Sequence, residues 1–186
     1  DIALLEVFGT LVSGGEVYVA SKDQAVDPTA LQQLIEEKNI NCMQATPTTW
    51  KMLLESSWQG KRDLRALVGG EALTADLASR LLPVCQQLWN CYGPTEATIW
   101  SMIKQVTANE GKAMTHIGGT LAHYHHFVLL PNGELAPQGI PGELCIAGPS
   151  LSRGYINLPE KTQAHFIDAQ PSLAKHGIKH YYRTGD

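Results

Sequence analysis

Between Asp27 and Cys91 the chain alternates capped, helix-period runs with short apolar strands, and that alternation confines it to a mostly parallel sheet with flanking helices. Asp27 as N-cap and Pro28 at the first helical position open a helix through Glu37. Asn41 to Gln44 reads as a strand, Thr46-Pro47 opens a helix through Glu55, and Ala66-Leu67-Val68 is a strand ending at Gly69-Gly70. Thr74 caps a helix through Leu82, and Leu88 to Cys91 is the next strand. Upstream, Ala3 to Leu11 is apolar at helical spacing, and Val17 to Ala20 reads as a short buried strand. In such α/β sheets ligands bind where strands end and loops begin.

From Ile103 onward helical periodicity fades as Gly, Pro and His increase. Phe127 to Leu130 and Glu143 to Ile146 read as strands beside turns at Pro131-Asn132-Gly133 and Ile140-Pro141-Gly142, and Pro159 to Phe166 as a short helix. The expected organisation is an α/β core portion over 1–103 and a β-rich, barrel-like subdomain over 104–186.

A hydrophobic content of 44% with 17% charged residues is globular, and a net charge of -4 argues against a sequence-neutral nucleic-acid binder. There is no signal peptide and no apolar run long enough to cross a bilayer, so the expected location is cytoplasmic. Cys42, Cys85, Cys91 and Cys145 form no C-x-x-C and read as reduced, buried thiols. His123, His125 and His126 lack cysteine or paired-carboxylate company and read as strand-surface histidines rather than metal ligands. The first residue is not Met, which reads as a mature or excised segment.

The chemistry concentrates in Asn90-Cys91-Tyr92-Gly93-Pro94-Thr95-Glu96. Tyr92 offers a ring face for a purine, Gly93-Pro94 a turn that lets backbone approach closely, Thr95 a hydroxyl for a phosphate oxygen, and Glu96 a carboxylate for magnesium. Gly69-Gly70-Glu71 follows a strand and supplies a second wall for the same flat ring. Three other segments occur in order: Asp1 with Leu11-Val12-Ser13-Gly14-Gly15, Gly142 to Pro149 continuing through Ser152-Arg153-Gly154-Tyr155, and Tyr182-Arg183-Thr184-Gly185-Asp186.

Together these segments resemble the motifs of the adenylate-forming enzymes, in particular the adenylation domains of nonribosomal peptide synthetases. The resemblance implies that Asn90 hydrogen-bonds the adenine amine, Thr95 meets the α-phosphate, Glu96 holds Mg2+, and Asp186 takes the ribose hydroxyls. It implies that Asp1 pairs with the α-ammonium of an amino-acid substrate, the apolar run Ile2-Ala3-Leu4-Leu5 behind it burying the carboxylate. It further implies a phosphate loop before residue 1 and a catalytic lysine beyond residue 186, so the fragment alone is expected to be inactive. ATP and Mg2+ are the implied cofactors. The implied partners are a carrier (thiolation) domain with its phosphopantetheine thiol and a condensation domain, with neither nucleic acid nor membrane.

Carried over without gaps from the nearest motif, the substrate pocket comprises Asp1, Ile2, Leu5, Gln44, Leu67, Gly69, Cys91, Ile99 and Trp100. Its only charge is Asp1, so the substrate side chain is uncharged. Trp100, with Ile2, Leu5, Leu67 and Ile99, fills the volume a side chain would occupy, and the combination resembles glycine-activating pockets. The expected function is activation of glycine, or another small uncharged residue, as aminoacyl-AMP. An acyl-CoA or aryl-acid ligase would keep the nucleotide motifs but leave Asp1 without an ammonium. A non-catalytic nucleotide-binding domain would have no use for Thr95, Glu96 and Asp186 together.

Overall fold

The computed structural model describes residues 1–108 and 116–186. They form two compact units that interleave along the chain. One comprises Asp1–Tyr92 with Met102–Gly119, the other Gly93–Ser101 with Thr120–Asp186. For the domains along the sequence we propose the division into 1–103 and 104–186.

In the first unit, α1 (Ile2–Leu4) and α2 (Thr10–Val12) flank a π-helical stretch, Leu5–Gly9. Ser21 and Gln24 form a reciprocal capping box at α3 (Lys22–Val26), satisfying two donors that a helix start leaves without partners. At α4 (Pro28–Glu37), Asp27 accepts from the N–H groups of Thr29 at 2.8 Å and Ala30 at 3.3 Å. Thr46 and Thr74 cap α5 (Pro47–Glu55) and α6 (Ala75–Leu81) in the same way. Each of these side-chain oxygens takes up a helix-start N–H with no partner inside the helix, which is why Asp-Pro and Thr-Pro mark the boundaries so sharply.

The sheet of this unit runs in the order β1 (Cys42–Ala45), β2 (Arg65–Gly69), β3 (Gln87–Tyr92), β4 (Met102–Val106), β5 (Gly119–Thr120). β1, β2 and β3 are parallel, and β4 returns antiparallel to β3. The register aligns Gln44 with Leu67 and Gly69 with Cys91, which brings the C-terminal ends of the parallel strands together. Trp50, Leu53, Leu64, Val68, Leu81 and Leu88 form the buried core. The Trp50 indole N–H donates to the carbonyl of Leu67 at 3.1 Å, so its polar atom is satisfied inside that core.

The second unit holds a four-stranded antiparallel sheet in the order β6 (His125–Leu129), β7 (Glu143–Ala147), β9 (His180–Arg183), β8 (Phe166–Asp168). α7 (Pro159–His165) and α8 (Pro171–Ala174) connect its later strands. Leu129, Cys145, Leu173, Ile178 and Tyr181 make its core.

Several expectations are corrected. Val17 to Ala20 is not a buried strand: among the described residues it pairs with no strand, and Val19 is 84% exposed. An apolar run becomes a strand only where a ladder partner lies alongside. The run behind Asp1 does not bury it. Asp1 is exposed and makes no side-chain cap bond, while Leu4, Leu5, Phe8 and Leu11 on the same helical stretch are exposed as well. Cys91 and Cys145 are buried thiols, but Cys42, at the first position of β1, is exposed and Cys85 only partly covered. Burial pushes the Cys91 and Cys145 thiols up to about 12, which keeps both protonated. His126 is half-buried rather than on the strand surface, and His123 lies in a turn with φ of 71°.

Candidate active site

The first unit supplies one group of the sequence-selected residues. Gly69 and Cys91 are paired at the ends of β2 and β3 and are buried, while Gln44 and Leu67 are paired one strand over and half-buried. Asn90 is buried and donates from its side-chain amide to the carbonyl of His116 at 3.2 Å. Tyr92 closes β3, half-buried, and pairs with Met102. Past the end of β2, Gly70 takes φ of 84°, a conformation that a side chain would strain. Glu71 then accepts a hydrogen bond from the Thr48 hydroxyl at 3.0 Å. Ile2 is half-buried, in α1, and Leu5 is exposed, in the π-helical stretch that follows.

The second unit supplies the other group. Gly93 begins a loop that folds back on itself so tightly that a Cβ there would lie 2.2 Å from the Ile99 carbonyl oxygen. Thr95 to Ala97 makes one turn of 3-10 helix. Thr98 and Ile99 then take φ of 63° and 72°. For β-branched residues the left-handed region is a steric outlier costing on the order of 1–3 kcal/mol each. Something must hold the pair, and several bonds do. The Tyr124 hydroxyl donates to the Ala97 carbonyl at 2.6 Å, and Thr98 Oγ1 donates to the Ser150 carbonyl at 2.5 Å. Ser101, fully buried, bonds its Oγ to His126 Nε2 at 3.0 Å, and its carbonyl accepts from the N–H of Leu121 at 2.9 Å. Ser152 donates to the Glu96 carbonyl through both its N–H (2.8 Å) and its hydroxyl (2.9 Å).

The Glu96 carboxylate is the best-supported charge in the loop. Tyr155 donates its hydroxyl to Glu96 Oε1 at 2.6 Å, and Tyr182 also hydrogen-bonds the carboxylate. Burial pushes the carboxyl up, but the bonds from Tyr155, its own backbone and Tyr182, with the charge of Lys161, outweigh burial and hold it below the usual carboxylate range. Glu96 is therefore an ionised, oriented oxygen donor at neutral pH, which suits a hard cation such as magnesium.

The later motifs meet on the same sheet. Arg183 Nε donates to Glu143 Oε2 at 2.9 Å, and the Gly185 N–H reaches Glu143 Oε1 at 3.3 Å. Asp186 is exposed, but its backbone is tied down: its carbonyl accepts from Leu144 N–H at 3.0 Å and its N–H donates to Thr184 Oγ1 at 3.0 Å. These bonds tie the backbone of Asp186 to β7, three residues past the end of β9.

Sequence reasoning named Glu96 but missed Tyr155, Tyr182, Tyr124 and His126 as its neighbours' supports. The first two were visible as the tyrosines of their motifs. What brings Tyr182 near Tyr155 is the pairing of β9 with β8, where Phe166 lies opposite Tyr182 and packs against both tyrosine rings. The bonds that tie Tyr124 and His126 to this loop carried no local signal, because they span sequence separations of 27 and 25.

A sequence model of the AMP-binding enzyme family matches residues 1–156. A dimodular nonribosomal peptide synthase of Bacillus subtilis (strain 168) is 42% identical over the whole chain, which spans 8% of that relative's length. Among solved structures, a four-domain nonribosomal peptide synthetase bound to AMP and glycine is 44% identical with a TM-score of 0.93. The match covers 100% of this chain and 14% of that one. A Vibrio cholerae adenylation domain in complex with glycyl-adenosine-5'-phosphate is 28% identical, with a TM-score of 0.87 over 100% of this chain and 35% of that one. The chain belongs to the AMP-binding enzyme family and is an adenylation-domain fragment of the nonribosomal peptide synthetase type.

Proposed function

We propose that the protein containing this chain activates glycine with ATP, forming glycyl-AMP for transfer to the phosphopantetheine thiol of a carrier domain. The observation that carries the reading is Glu96, held ionised by Tyr155 and Tyr182 so that three separate motifs converge on one carboxylate. Support for glycine comes from the two similar structures, whose bound molecules are AMP with glycine and glycyl-adenosine-5'-phosphate. It comes also from Trp100, a buried bulky side chain at a position that the family resemblance assigns to the substrate pocket.

In the proposed reaction an oxygen of the amino-acid carboxylate attacks the α-phosphorus of ATP. The bond from that phosphorus to the bridging oxygen breaks, and pyrophosphate leaves with the electron pair. Bound magnesium would neutralise charge on the phosphate oxygens, and Glu96 would hold it. Asn90, Tyr92 and Gly69 to Glu71 would bind adenine, Thr95 the α-phosphate and Asp186 the ribose diol, whose two hydroxyls one carboxylate can accept. Asp1, whose carboxylate is exposed and caps no helix, would pair with the substrate ammonium. Acceleration here is chiefly positioning and charge stabilisation.

Trp100 gives the test. In the complete adenylation domain, Trp100→Ala is expected to raise the alanine-to-glycine activity ratio by about 10- to 100-fold, the range of one methylene in an apolar pocket. Amino-acid-dependent ATP–pyrophosphate exchange measures the ratio. An unchanged ratio would remove Trp100 from the pocket.

A further inference from the structure

The loop that carries Ile99 and Trp100 is held in shape by side chains that no motif contains. We infer that Tyr124 and His126 are positioning residues for substrate selection, bracing the left-handed Thr98–Ile99 pair from either end so that the Ile99–Trp100 wall keeps its place. The inference rests on the assignment of Trp100 to the amino-acid pocket.

Both braces follow from the geometry. Thr98 and Ile99 would relax toward the extended or right-handed regions if nothing opposed it. On the N-terminal side, the Tyr124 hydroxyl bonds the Ala97 carbonyl at 2.6 Å and lies 3.4 Å from that of Thr98, fixing the peptide units that enter the pair. On the C-terminal side, His126 Nε2 meets the buried Ser101 hydroxyl at 3.0 Å, one residue past Trp100, while its Nδ1 meets Thr120 Oγ1 at 3.1 Å. A neutral imidazole has one donor and one acceptor, and each hydroxyl can take either role, so both ring nitrogens are satisfied. Burial, with the neighbouring His125 charge, lowers the His126 pKa in keeping with that neutral form. Tyr124 and His126 project from the start of β6 and the turn before it, so one short segment braces the whole wall.

Glu96 is fastened separately, through Ser152 and Tyr155. Loosening the Tyr124 brace should therefore affect amino-acid selection more than nucleotide use. A merely structural residue would show no such split.

The experiment uses the complete adenylation domain with Tyr124→Phe, His126→Leu and, as reference, Trp100→Ala, each assayed by exchange with glycine and with alanine. Tyr124→Phe deletes one hydroxyl. It is expected to raise the KM for glycine several-fold, up to about tenfold, the effect of one lost hydrogen bond, and to lower the glycine-to-alanine preference by a similar factor. The KM for ATP should stay within about twofold, well inside what one lost bond would cause. His126→Leu should move the same two quantities in the same direction. If Trp100→Ala changes the preference while Tyr124→Phe and His126→Leu leave it alone, or change the two KM values equally, the positioning role is overturned and the pocket stands. If Trp100→Ala also leaves the preference unchanged, the pocket assignment fails and takes this inference with it.

Discussion

Replacing Gly93 by alanine is expected to destabilise the second unit by roughly 3 kcal/mol or more and to abolish adenylation. The added Cβ would lie 2.2 Å from the Ile99 carbonyl oxygen and 2.8 Å from both the Ser101 nitrogen and the Trp100 Cα. All three are backbone atoms, so no side chain can swing aside. Relief requires the loop to open, and opening would break the bonds of Tyr124 and His126 that hold Thr98 and Ile99 in place. The cause is close approach rather than a left-handed φ, so the small size of glycine is what the position needs. Thermal unfolding of the complete adenylation domain, with exchange measured on whatever remains folded, checks this. A Gly93→Ala protein with wild-type melting temperature and exchange rate would mean the loop does not pack against Gly93 as described.

Glu96→Gln is expected to lower turnover on the order of 10²- to 10³-fold while leaving the fold intact, the usual effect of removing one preorganised charge partner from a reacting site. Glutamine keeps the length and can still accept from Tyr155 and Tyr182, so the hydroxyl contacts survive in part. What it lacks is the charge that would hold magnesium. The magnesium concentration giving half-maximal exchange should rise as well, because a neutral amide oxygen is a weaker ligand for a hard cation than a carboxylate. Circular dichroism and melting temperature should match the parent. A large loss of stability with no change in magnesium dependence would make Glu96 a structural link between the two tyrosines instead.

How much of this could be read from the residues depended on the range of the interaction. Asp27, Thr46 and Thr74 cap helices through bonds to N–H groups two or three residues away, so those boundaries were legible from adjacent residues. The parallel pairing of β1, β2 and β3 followed from the alternation alone. Val17 to Ala20 was misread because apolar composition cannot report whether a neighbouring strand is present. β8 and β9 went unread because their identity rests on pairings such as Phe166 with Tyr182 rather than on any local pattern. In the site, Glu96 and its motif stood out as a pentapeptide, whereas its bond to Tyr155 spans a sequence separation of 59. The strained Thr98–Ile99 pair was invisible as well, since β-branched residues normally argue against the left-handed region they adopt here.

The most direct test of the proposed function is amino-acid-dependent ATP–pyrophosphate exchange by the complete adenylation domain, run against each common amino acid in turn. The account predicts exchange that depends on glycine, with alanine as the main competitor and large or charged residues inactive. Preference for a large or charged amino acid, or exchange driven equally well by a carboxylic acid lacking an amine, would contradict it.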